Sequence, residues 1–118
     1  MSGSLEMLRS PLDFRAMQSD SRSRVHPLLV LRYRRNELDR TRYGISTGRR
    51  LGSAVVRNRV RRRLKTILHR LNGRLARGWD VLLVVRPAAA EASQAELGRA
   101  LEKLLNRSGL MEGTGSAT

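Results

Sequence analysis

Residues 43–65, YGISTGRRLGSAVVRNRVRRRLK, constrain this chain more than any other stretch. The segment opens as an alternating strand, turns through glycines and becomes a helix. Ser53 is the expected N-cap of that helix. Val56, Val60, Leu64, Ile67, Leu68 and Leu71 recur at three- and four-residue steps, an apolar stripe that must lie on another layer. Arg57, Arg61 and Lys65 stand four apart on a different face, beside Arg62. Arg49, Arg50, Arg57, Arg59, Arg61, Arg62, Arg63 and Lys65 fall within seventeen residues that contain no acid. Like charges at i,i+4 cost a few tenths of a kcal/mol each. A fold tolerates that repulsion best when a polyanion neutralises it, which points to nucleic acid.

The whole chain leans the same way. Its 118 residues carry a formal charge of +14 and a pI near 11.8, a balance that favours nucleic acid or an anionic surface and specifies no fold. The length suits one domain. The expected boundaries are a flexible segment over 1–6 of linker composition, a domain over 7–109 and a disordered tail over 110–118. With no cysteine, disulfides and thiolate metal sites are excluded. No apolar run approaches the roughly 20 residues of a membrane span. Glu6, Asp13 and Asp20 argue against a transit peptide, and the cytoplasm is the expected compartment.

Along the chain, Ser10 caps a short helix that opens with Pro11, and Leu12, Ala16 and Met17 are expected inward. Residues 19–25 read as a polar loop. Residues 28–33 and 42–47 read as two strands of a hairpin joined by the charged turn 34–40. The long helix runs from Ser53 to about Leu71 and stops at Asn72-Gly73. Residues 79–86, WDVLLVVR, have the length and composition of a strand covered on both faces, ended by Pro87. Ser93 and Glu96 form an S-x-x-E capping box for a last helix through Leu97, Leu101, Leu104 and Leu105, closing near Ser108-Gly109. A strand–helix–strand passage in the middle implies a crossover within one sheet.

The chemistry this sequence offers is binding. His26 and His69 stand far apart and make no metal-ligand spacing, no nucleophile has a base beside it, and Asp13, Glu37, Asp39 and Asp80 are placed for caps, turns or ion pairs. Arginine forks match phosphate oxygens. Asn58, between Arg57 and Arg59, either reads a base edge or sugar hydroxyl or pins its surroundings by a local hydrogen bond. Gly44, Gly48 and Gly52 either admit a phosphate to the backbone or serve turn geometry alone. Phe14 is either a stacking platform for single-stranded nucleic acid or a core residue. Two binding readings fit this chemistry: a ribosomal or general structured-RNA-binding protein, and a DNA-binding helical module. The interleaved strands disfavour the second.

The order of residues in 42–62 is more specific than its composition. Arg42, Gly44, Ser46, Arg49, Arg50, Gly52, Ala54, Val55, Arg57, Asn58, Arg59, Arg61 and Arg62 follow the signature R-x-G-hydrophobic-S-x-x-K/R-K/R-x-G-x-A-V-x-R-N-R-x-K/R-R. The segment resembles the protein subunit of bacterial ribonuclease P, and the resemblance extends over about 8–108. It implies an α/β (α+β) two-layer sandwich of αβββαβα-like order, with a central, mostly antiparallel sheet. It also implies a left-handed βαβ crossover, against the general right-handed rule. The extra strand is expected near 52–55. The implied function is non-catalytic: the protein joins a catalytic RNA that removes the 5′ leader of precursor tRNA with Mg²⁺ held mainly by the RNA. The implied partners are that RNA and precursor tRNA, with no membrane and no obligate protein partner. Carried over by position, Arg49, Arg50, Arg57, Asn58, Arg59, Arg61, Arg62 and Lys65 meet the catalytic RNA. Phe14, Val30 and Arg32 border the leader cleft, and no residue of this chain is catalytic or binds metal. Gln18 and Arg32 stand where the family often has aromatics, and Gly48 where serine is common.

Overall fold

The computed structural model describes residues 5–111. The elements are β1 (Glu6–Met7), α1 (Pro11–Ser19), β2 (Arg22–Val25), β3 (Leu29–Arg35), β4 (Arg42–Thr47), α2 (Ala54–Leu71), β5 (Trp79–Val85) and α3 (Gln94–Ser108). Single 3₁₀ turns occupy Arg49–Leu51, Asn72–Arg74 and Pro87–Glu91. The strands form one five-stranded sheet in the order β1-β4-β5-β3-β2. β1–β4 and β4–β5 pair parallel, β5–β3 and β3–β2 antiparallel, and the antiparallel pairs hold the larger share of the register.

The centre of the sheet goes to β5 because it is the strand most apolar on both faces. Val81, Leu83 and Val85 point to one layer and Leu82 to the other, all buried. This placement corrects the expected hairpin. β3 and β4 do not pair; β5 lies between them, and α2 is the crossover that joins the parallel neighbours β4 and β5. The hairpin is instead β2–β3, formed by residues read as a polar loop. Every residue of β2 is exposed, so it carries no apolar alternation and owes its conformation to backbone pairing with β3. His26 closes the turn: its Nδ1 accepts the Leu28 N–H at 3.1 Å. No strand forms at 52–55, where the 3₁₀ turn at Arg49–Leu51 leads into α2.

On one face α2 and α3 bury Val60, Leu64, Ile67, Leu68, Leu71, Leu97, Leu101, Leu104 and Leu105 against Leu29, Leu31, Tyr43, Val81 and Leu83. The Tyr43 hydroxyl donates to Asn72 Oδ1 at 3.0 Å and so ties β4 to the end of α2; burial pushes that phenol up to about 12. The Ser93–Glu96 capping box forms as expected, with the Glu96 carboxylate accepting the Ser93 N–H at 2.8 Å. The other face holds a smaller cluster, Leu8, Met17 and Leu82, with Phe14 and Val84 packed beside it. Met17 is inward as expected, but Leu12 is 69% exposed.

The ordered fold reaches further at both ends than the expected domain of 7–109. Glu6 and Met7 pair with Arg42 and Tyr43, so the ordered fold includes residues assigned to a flexible segment. Leu110 and Met111 are buried, and Met111 bridges to Leu75; the tail therefore does not begin at 110. Residues 1–4 and 112–118 lie outside the described residues.

Candidate RNA interface

The basic stretch is presented by a sharp entry into α2. Leu51 is buried and anchors the 3₁₀ turn after β4. Gly52 then takes φ +141, and a Cβ there would meet the Val56 side chain at 3.2 Å, so this position requires glycine. Ser53 caps the helix by accepting the Val56 N–H. The Gly52-Ser53-Ala54 order is thus the geometry of a turn from strand to helix.

From that start α2 sorts its cations into two sets. Arg57, Asn58 and Arg61 line one recess of about 190 Å³ with Thr47 and Ala54. Arg61 is oriented from both ends: it donates to Thr47 Oγ1 at 2.7 Å and to Asn58 Oδ1 at 3.3 Å. Asn58 therefore does make a local hydrogen bond, and it orients the Arg61 guanidinium. Arg62 and Lys65 are exposed on the adjoining arc. Among the described residues, no carboxylate pairs with any cation of this arc.

Arg59 does not join them. Together with Arg63 and Arg70 it lies on the opposite flank of α2, facing α3 and the turn before it. Arg59 donates to the Ala90 carbonyl at 3.2 Å, Arg63 to the Ala92 carbonyl at 3.0 Å, and Arg70 pairs with Glu102 at 3.5 Å. The expected set is therefore divided, and the sequence spacing already held the division: 59 and 63 are one turn apart, as are 57 and 61.

Arg49 and Arg50 sit elsewhere again. They share a recess of about 290 Å³ with Ser46, Val84 and Pro87. Ser46 and Val84 are cross-strand partners, and Val84 in turn opposes Val30, which opposes Val25. This transverse row lies on the face that carries α1. Two residues along the strands, on the same face, stand Arg32, Leu82 and Gly44. Phe14 of α1 packs over that second row: a Cβ built on Gly44 would meet Phe14 Cε1, Leu82 Cδ1 and Leu8 Cδ1, each at 3.1 Å. Phe14, Val30 and Arg32 thus occupy one face, bounded by α1 and ending at Arg49 and Arg50. Sequence reasoning missed Thr47, Val25, Ser46 and Val84. Strand alternation from Gly44 would have placed Ser46 on this face; Val25 and Val84 reach it only through the pairing of β2 and β5 with β3.

The absent side chain at residue 44 is what seats the aromatic. Gly44→Val is expected to cost about 1–3 kcal/mol by overpacking and to lift Phe14 from the sheet. Urea unfolding reads the first effect, and the affinity for single-stranded oligonucleotide the second.

A buried ion network fixes α1 to the sheet below this face. Asp80, 5% exposed, accepts Arg42 Nε at 2.9 Å and Arg42 Nη2 at 2.8 Å in a bidentate pair. Asn36 donates to the same carboxylate at 2.9 Å, and Asp13 of α1 lies 3.4 Å from Arg42 Nη1. Glu6 pairs with Arg40. The acids here are already neutralised, and no group of three or more His, Asp or Glu among the described residues has metal-holding geometry. Nor is any described helix long and apolar enough to cross a membrane.

Comparison with known proteins agrees over nearly the whole chain. The family model described as Ribonuclease P matches residues 4–109. The ribonuclease P protein component of Roseiflexus castenholzii is 36% identical over 112 residues, covering 94% of this chain and 92% of that one. That of Herpetosiphon aurantiacus is 35% identical over 105 residues, with 89% and 85% covered. The solved RNase P protein of Thermotoga maritima superposes with a TM-score of 0.80 at 28% identity, covering 92% and 99%. The Staphylococcus aureus protein gives 0.85 at 22% identity, covering 92% and 100%, a likeness of fold.

Proposed function

The chain belongs to the ribonuclease P protein family, the protein component of the ribonucleoprotein that processes tRNA, and from that premise we propose how its surfaces divide the work. The outward arc of α2 binds the catalytic RNA through phosphates. The α1 face of the sheet receives the single-stranded 5′ leader of precursor tRNA. The observation that carries this reading is the acid-free arc of Arg57, Asn58, Arg61, Arg62 and Lys65, in which Arg61 is already held in place by Thr47 and Asn58. A guanidinium oriented before binding loses less freedom on meeting a phosphate.

Cleavage belongs to the RNA in this reading. Mg²⁺ is held mainly by the RNA in this reading, and the engagement of Asp13 and Asp80 by Arg42 supports it, since it occupies two oxygen donors of the kind that Mg²⁺ takes. The protein supplies positive charge where two RNAs approach each other, lowering their mutual repulsion. It also supplies an apolar row, Val25, Val30 and Val84, with Phe14 and Arg32 beside it, for unpaired nucleotides. The compartment that suits this role is the bacterial cytoplasm.

Affinity for structured RNA and for duplex DNA of equal length, in equal salt, tests the partner class. We expect the RNA to bind at least about tenfold tighter, about 1.4 kcal/mol. Equal affinities would mean that the arc recognises charge density alone.

A further inference from the structure

Arg59 stands within the R-N-R signature, yet its contacts are intramolecular. Arg59 and Arg63 reach two carbonyls in the second half of one short connection. Ala90 belongs to the 3₁₀ turn Pro87–Glu91, and Ala92 directly precedes Ser93, the N-cap of α3. Carbonyls in such a junction lie outside helix and sheet ladders and need donors from elsewhere; the two arginines provide them at 3.2 and 3.0 Å. The Arg59 guanidinium is committed further. Its Nη2 is taken by Ala90, and its Nε is buried without a partner. That edge of the fork is closed to the bidentate grip that makes arginine a good phosphate ligand.

The same turn has a second face. Pro87, its first residue, closes the recess formed by Ser46, Val84, Arg49 and Arg50 at the end of the cleft. The turn therefore stands between α2 and the cleft, held by α2 on one side and forming a wall on the other.

We propose that Arg59 and Arg63 are positioning residues for leader recognition: they hold the Pro87–Glu91 turn as a wall of the cleft and do not bind RNA phosphate. The inference rests on the cleft reading above. It separates two arginine pairs on one helix that composition treats alike.

The test uses the holoenzyme reconstituted with its catalytic RNA. Two quantities are read: the ratio of affinities for precursor tRNA with and without its leader, and the salt dependence of protein binding to the catalytic RNA. For the Arg59→Ala, Arg63→Ala double variant, leader preference is expected to fall about fivefold, about 1 kcal/mol, while the salt slope stays at the wild-type value. A slope lower by about one per arginine would identify them as phosphate ligands and overturn the proposal. Pro87→Gly loosens the same wall without removing charge. It is expected to reproduce the loss of leader preference, and it carries the test if the double variant melts below the assay temperature. Full leader preference in either folded variant overturns the proposal alone. A wild-type protein with no leader preference overturns the cleft reading itself, and the proposal with it.

Discussion

Asp80→Ala is expected to remove about 3–5 kcal/mol of stability, the range for breaking one side of a buried ion pair. The substitution deletes a carboxylate that is 5% exposed and accepts three hydrogen bonds, two from Arg42 and one from Asn36. Arg42 would remain largely covered, with only Asp13 at 3.4 Å to balance it. Domains of this size have stabilities of about 5–15 kcal/mol, so a large part of the total is at stake. The loss is also local in a useful way. Asp80 pairs across the sheet with Arg34 on one side and Arg42 on the other, and Asp13 connects the network to α1. Release of α1 should follow, and with it the seat of Phe14. Urea unfolding reads the stability change; a loss under about 1 kcal/mol would show that the pair is dispensable. Asp80→Asn keeps the shape and the hydrogen bond from Asn36 but not the charge, and should fall between wild type and alanine.

Arg57→Ala with Arg61→Ala is expected to give the largest change in RNA affinity. Each charged hydrogen bond to phosphate is worth about 1.5–3 kcal/mol, so the pair together should weaken binding by about 100-fold or more. The slope of log affinity against log salt should fall by about two, one for each phosphate that the protein no longer neutralises. Stability should change little, because neither residue pairs with a carboxylate or packs in the core. Arg61 alone should lose more than Arg57, since Thr47 and Asn58 orient it. An unchanged slope would move the RNA interface off this arc. The contrast with Arg59 and Arg63 is then internal to one helix. The same residue type, two positions away, is expected to leave the slope intact.

Local elements with strong chemistry were legible in the sequence. The Ser53 and Ser93 caps, the α2 stripe from Val60 to Leu71 and the apolar strand at 81–85 all stand where periodicity puts them, because each is specified by neighbours within a turn or two. Strand pairing was not legible in the same way. β3 and β4 are adjacent in sequence and joined by a turn-like segment, so a hairpin is the economical expectation. The doubly apolar β5 displaces it by needing neighbours on both edges. β2 and β1 escaped because their residues, RSRV and EM, carry no apolar alternation and become strands only through partners elsewhere in the chain. The candidate site shows the same limit. The signature singles out a set of residues but not which way each of them faces. Helical spacing separates 57 and 61 from 59 and 63; only the packing of α3 against α2 says which pair is turned inward.

The central claim, that the protein serves a catalytic RNA by supplying charge and a leader cleft, is tested most directly by reconstituted cleavage of precursor tRNA at low magnesium. With the catalytic RNA alone, cleavage should fail as magnesium is reduced. Adding the wild-type protein should restore it, while the Arg57→Ala, Arg61→Ala variant should do so only at much higher protein concentration. If the wild-type protein binds the RNA yet leaves cleavage at low magnesium unchanged, the account is contradicted.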